Sequence, residues 1–133
     1  MDFYEIPTNP FKVIIAGGRD FNDYDKLYER CRHYLSSYFH TSKLVCQPVL
    51  VISGTAKGAD QLGERFAMNT SCLLKSMPAQ WKEFGKSAGY KRNVQMAENA
   101  DALIAFWDGK SRGTKHMIDI AKQKKLLVRV VRY

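Results

Sequence analysis

Apolar residues recur along the chain in two alternating rhythms. Short, mostly apolar runs occupy Lys12 to Ala16, Val49 to Ser53, Cys72 to Met77, Ala102 to Trp107 and Leu126 to Arg132, and each reads as a strand. Between them, apolar positions return every three or four residues. Tyr24, Leu27, Tyr28, Cys31, Leu35, Tyr38 and Phe39 form one stripe, which predicts a single helix from Tyr24 to Phe39 with Asp23 as its N-cap. Leu62, Phe66 and Ala67 mark a second helix over Gly58 to Asn69, and Lys91 to Asn99 and Thr114 to Lys125 read as two more. Pro78 to Tyr90 has no clear period and reads as a loop over the sheet edge. Helices alternating with nearly all-apolar strands predict an α/β fold: a Rossmann-like three-layer sandwich with a mostly parallel five-stranded sheet covered on both faces. Residues 1–11, with Pro7 and Pro10, form an irregular lead-in, and 12–133 a single domain.

Charge narrows the partners. A formal net charge of +8 on 133 residues favours an anionic partner, whether a nucleotide, a nucleic acid strand or an acidic protein. Lys122, Lys124, Lys125, Arg129 and Arg132 read first as a solvated helix face and a charged edge strand, and only second as a nucleic-acid footprint. Cys31, Cys46 and Cys72 share no metal or redox spacing and read as packed, reduced thiols. No leader and no membrane-length apolar run appears, so a cytoplasmic protein is expected. His33, His40 and His116 lie on separate elements, so no metal site is expected. Asp20, Asp23 and Asp25 miss the calcium-loop pattern and read as turn and cap residues.

Candidate chemistry sits where strands end. The first strand runs into Gly17-Gly18-Arg19-Asp20, the second into Ser53-Gly54-Thr55-Ala56-Lys57-Gly58-Ala59-Asp60, and the fourth into Asp108-Gly109-Lys110-Ser111-Arg112-Gly113-Thr114. A glycine turn opening a helix after a strand exposes backbone N–H groups to a phosphate, and Arg19 adds a planar cation. In the second turn Ser53 and Thr55 offer hydroxyls, Gly54 and Gly58 open the backbone, and Asp60 either caps the helix or meets a ribose hydroxyl. Neither a P-loop ending nor the dinucleotide fingerprint is present. Trp81, Tyr90 and Trp107 are candidates for stacking on a base, although Trp81 reads equally as a pin of the loop to the sheet edge, and Phe84 reads first as such a pin.

The segment Ser53 to Asp60 resembles the serine-glycine, small-residue, glycine-acid signature of the SLOG superfamily, and its small YspA-like, YpsA-related branch in particular. Gly17-Gly18-Arg19-Asp20-Phe21, Pro78-Ala79-Gln80-Trp81, Ala88-Gly89-Tyr90-Lys91-Arg92-Asn93 and Gly113-Thr114 support it over nearly the whole chain after the lead-in. That superfamily joins DprA to the LOG-type nucleoside-monophosphate phosphoribohydrolases. The resemblance implies a nucleotide or nucleotide-derived ligand with no further cofactor, a homo-oligomer, and two alternatives: LOG-like N-glycosidic hydrolysis and DprA-like binding of single-stranded DNA. Arg92-Asn93-Val94-Gln95-Met96 resembles the LOG helix start, so Arg92 inherits the ligand-facing, catalytic arginine's place. Gly113-Thr114-Lys115-His116-Met117 resembles the end of the phosphate turn, so Gly113 and Thr114 inherit a phosphate contact. Met117 stands where LOG enzymes carry a catalytic glutamate, so binding is implied more firmly than turnover. Asp60, Glu64 and Asp108 are the carboxylates left to take the glutamate's part.

Overall fold

The computed structural model describes residues 9–39 and 48–133. Expectations for the lead-in before Asn9, for His40 and for Cys46 lie outside the described residues. Five strands, β1 (Phe11–Gly17), β2 (Val49–Ser53), β3 (Leu73–Ser76), β4 (Ala102–Trp107) and β5 (Leu127–Arg132), pair in the order β3-β2-β1-β4-β5. Every pairing is parallel, with Ile14 in register with Ile52 on one side and Leu103 on the other.

Alternation along β1 divides the core in two. Val13 and Ile15 join Leu27, Cys31 and Leu35 of the first helical segment and Phe66 and Ala67 of the second; Ile14 and Ala16 face Met96, Ala97, Met117 and Ile118. Helices α1 (Tyr24–Tyr34) and α3 (Ala59–Asn69) therefore cover one face, and α5 (Ala88–Glu98) and α6 (Arg112–Gln123) the other. The cover is complete only over β2, β1 and β4. All four residues of β3 and three of the six in β5 are exposed, so the expected cover on both faces thins at the two edges. Edge strands have a neighbour on one side only.

Two other expectations change. The predicted helix Tyr24–Phe39 is interrupted at Leu35, whose N–H reaches the carbonyls of Cys31 and His33, and restarts as the short α2 (Ser36–Phe39). The apolar stripe runs across the interruption because Leu35, Tyr38 and Phe39 stay against the same core. The predicted loop Pro78–Tyr90 is largely helical: α4 (Trp81–Phe84), a 3-10 turn (Gly85–Ser87) and the first turn of α5. Elements this short carry no period to read. Asp23 caps α1 as expected, accepting the Lys26 N–H at 3.0 Å. Among the described residues no helix is long and apolar enough to cross a membrane.

Connectivity fixes where a ligand can enter. The chain leaves β1 toward β2 and β3, then crosses back to β4 on the other side of β1, so the crossover reverses between β1 and β4. At such a switch point the loops after the two strands part and leave a crevice at their carboxyl ends.

Candidate ligand-binding site

A cavity of about 480 Å³ opens at that crevice, within the roughly 300–1,000 Å³ span of small-molecule sites. Its floor is the turn after β1. Gly18 donates its N–H to the Phe106 carbonyl at 3.0 Å, and its own carbonyl accepts the Ala59 N–H at 3.1 Å, so this turn is clamped between β4 and the start of α3. Arg19 projects from it into solvent. Asp20 accepts a 2.5 Å hydrogen bond from the Tyr133 hydroxyl, whose ring packs 4.8 Å from Phe21.

The second turn largely satisfies its own donors. Buried Ser53 donates to Glu64 Oε2 at 2.6 Å and accepts the Thr55 N–H at 3.0 Å; Asp60 Oδ2 accepts the Ala56 N–H at 3.2 Å. Asp60 is therefore not the helix cap. That position belongs to Gly58, at φ +80°, where a Cβ would run into the Gly18 carbonyl and the Arg19 backbone. Asp60 lies one residue into α3 and reaches back to fasten the turn.

The opposite wall comes from α5 and α6. Arg92 donates through Nη1 to the Gly54 carbonyl at 2.5 Å and through Nε to Asn93 Oδ1 at 3.1 Å. Buried Asn93 donates through Nδ2 to the Gly113 carbonyl at 3.3 Å and meets His116 Nδ1 at 3.2 Å. Burial holds His116 below its ordinary pKa, which favours the neutral ring as acceptor in that contact. Asp108 accepts the Lys110 and Ser111 N–H groups, both at 2.8 Å, and these bonds hold its carboxyl below the usual range. Ser111 caps α6 by accepting the Thr114 N–H at 3.4 Å. Gly113, in the first turn of α6, faces open space.

The electrostatics are asymmetric. Burial pushes the Asp60 carboxyl up to about 6 despite the Ala56 N–H and the nearby Arg92 charge. Burial likewise lowers the Arg92 pKa, with Asp60 opposing and the Arg19 charge adding to the effect. Of the three carboxylates lining the cavity, Asp20, Asp60 and Asp108, each is held by a neutral donor of the protein. The lining cations Arg19, Lys86 and Arg92 form no ion pair among the described residues.

Most of the expected residues converge here. Gly17, Gly18, Arg19, Ala56, Asp60, Trp81, Tyr90, Arg92, Asn93, Asp108, Ser111, Gly113 and Thr114 all line the cavity. Ser53 and Gly58 stand behind it as supports, while Gly54 and Thr55 line a second cavity alongside. Gly109 lies under the Arg132 guanidinium. Trp107 is also off the cavity: its indole N–H donates to the Ser111 carbonyl at 3.1 Å, and the Arg132 guanidinium lies 5.3 Å from its ring centre. Trp81 and Tyr90 are 52% and 45% exposed beside the cavity, with the Tyr90 ring also 4.6 Å from the His116 ring at a steep angle. Met117 lines the cavity from the core and is 1% exposed, so no carboxylate stands there; Glu64 is tied to Ser53 away from the lining. Lys86 was not signalled by the sequence, because it belongs to the stretch without a readable period. Among the described residues no cluster of His, Cys, Asp or Glu has the makings of a metal site.

Fold and crevice together define a Rossmann-like α/β protein with its site at the strand carboxyl ends. The chain belongs to the YspA, cpYpsA-related SLOG family, whose model matches residues 11–84. It is similar to the Gene 61 protein of Mycobacterium phage D29, with 30% identity over 118 residues that cover 84% of this chain and 89% of that one. Its fold is that of part of DNA processing protein A (DprA) from Streptococcus pneumoniae, at a TM-score of 0.65 and 14% identity over 93% of this chain. The chain spans about half, 50%, of the DprA structure's length.

Proposed function

We propose that the protein binds a nucleotide or nucleotide derivative in the crevice between β1 and β4. The observation that carries this is the charge asymmetry of the lining: its carboxylates are each held by a neutral protein donor, while Arg19, Lys86 and Arg92 form no ion pair among the described residues, and burial shifts Asp60, the carboxylate near Arg92, toward its neutral form. A phosphate supplies the missing charge, and Arg92, fixed through Nη1 and Nε, meets it with a pre-oriented guanidinium. The first turn of α6, where Gly113 leaves the backbone open, adds the positive end of a helix. Trp81 and Tyr90 provide the ring faces on which a base stacks. SLOG family membership supports the reading.

A hydrolytic role has one observation in its favour. Asp60, with its pKa near 6 and its place in the cavity wall, is the carboxylate suited to proton transfer near neutral pH. Titration calorimetry with the ribonucleoside monophosphates tests binding, and release of free base tests turnover. Wild-type protein is expected to bind, and Arg92→Ala to weaken binding at least roughly tenfold, with Arg92→Lys failing to restore it. A flat response to every nucleotide would remove the proposal.

A further inference from the structure

The second cavity, about 400 Å³, shares Arg19, Ala56, Trp81 and Arg92 with the first and adds Gly54, Thr55, Lys57, Pro78 and Ala79. The two are therefore compartments of one site that meet at the four shared residues. Their chemistry differs. The first compartment carries three carboxylates beside its cations; the second carries Arg19, Lys57 and Arg92 and no carboxylate at all.

We propose that this second compartment is a phosphoryl subsite, and that the ligand is a nucleoside diphosphate or an ester of one. The inference rests on the nucleotide reading above and adds the second phosphoryl group. Among the described residues none of the three cations forms an ion pair, and the Arg19 charge acts against that of Arg92, which Asp60 from the first compartment only in part offsets. An anion that enters this compartment meets three cations and no carboxylate of its lining. The Thr55 and Ala56 N–H groups are taken by Ser53 Oγ and Asp60 Oδ2, so the subsite holds an anion through its side-chain cations. Thr55 itself sits at φ 67°, a region a β-branched residue rarely adopts, and the turn keeps this conformation in the compartment's wall. With the first phosphate at Arg92 and the first turn of α6, as in the nucleotide reading, a second phosphoryl group linked to it reaches Arg19 and Lys57 across Arg92. The base and sugar then remain in the first, beside Tyr90 and the carboxylates.

Lys57 lines only the second compartment and is exposed, so its replacement tests the subsite without disturbing the core. The probes are the mono- and diphosphates of the four ribonucleosides, titrated into wild-type protein and Lys57→Gln. For the preferred base, the diphosphate is expected to bind roughly tenfold tighter than the monophosphate in the wild type. Lys57→Gln is expected to cut that ratio roughly threefold or more. Equal binding of the two in the wild type, or a ratio that Lys57→Gln leaves intact, overturns the subsite while monophosphate binding sustains the nucleotide reading. If no compound binds, both fall together.

Discussion

Individual side chains in the crevice are under opposing demands, and two substitutions expose them. Asp60 is buried, with its carboxyl raised to about 6, so the folded chain favours its neutral form relative to the unfolded chain. The stability this lends is complete below the ordinary carboxylate range, about pH 4, and is lost as pH rises through about 6. Asp60→Asn keeps an acceptor for the Ala56 N–H and does not titrate. Urea unfolding between pH 4 and 8 should show this variant gaining on the wild type by about 2–3 kcal/mol. A constant difference across that range would mean that Asp60 is not shifted. Gly54 is the second case: a Cβ there would lie 2.6 Å from Arg92 Nη1 and 2.8 Å from Asp60 Oδ2. Both are ends of side chains, which can move. Gly54→Ala should therefore cost only about 1 kcal/mol of stability yet weaken nucleotide binding roughly tenfold or more, by unseating Arg92. The sequence motif marked Asp60 and Gly54 as site residues. It did not show that Asp60 fastens the turn to Ala56, because that bond depends on how the turn folds back.

At the level of elements, strands proved more legible than short helices. Val49 to Ser53 and Ala102 to Trp107 are strands over the predicted residues, since each is an apolar run closed by a turn that a buried parallel strand requires. Leu35 carries no proline or glycine to announce its break, and α4 spans only Trp81–Phe84, too few residues for a hydrophobic stripe. Lys86 was missed with that segment. The glycines at the starts of α3 and α6 serve opposite ends. Gly58 has a positive φ and no room for a side chain, so Gly58→Ala should destabilise by about 1–3 kcal/mol. Gly113 faces open space in a helix, so Gly113→Ala should raise stability by about 0.5–1 kcal/mol while weakening nucleotide binding. Thermal unfolding together with titration separates the two. If Gly113→Ala binds as the wild type does, α6 is not a phosphate contact.

For the whole molecule, the +8 charge raises the question of whether the crevice or the wider surface meets the anion. Lys122, Lys124, Lys125 and Arg129 are all exposed, on the end of α6, the turn after it and β5, while the cations of the site gather at the strand carboxyl ends, where exposed Arg132 also lies over Gly109. A small ligand in the crevice neutralises few charges, so log K against log salt should fall with a slope of about −1 to −2, far shallower than for a tracked single strand. A steep slope with single-stranded DNA, and none of this behaviour with nucleotides, would favour the surface. Nucleotide binding in the crevice can be seen in a crystal grown with a ribonucleoside monophosphate. The phosphate should lie within hydrogen-bonding reach of Arg92 and the first turn of α6 at Gly113, with the base beside Trp81 or Tyr90. A nucleotide bound away from the crevice between β1 and β4, or an empty crevice at saturating ligand, would contradict it.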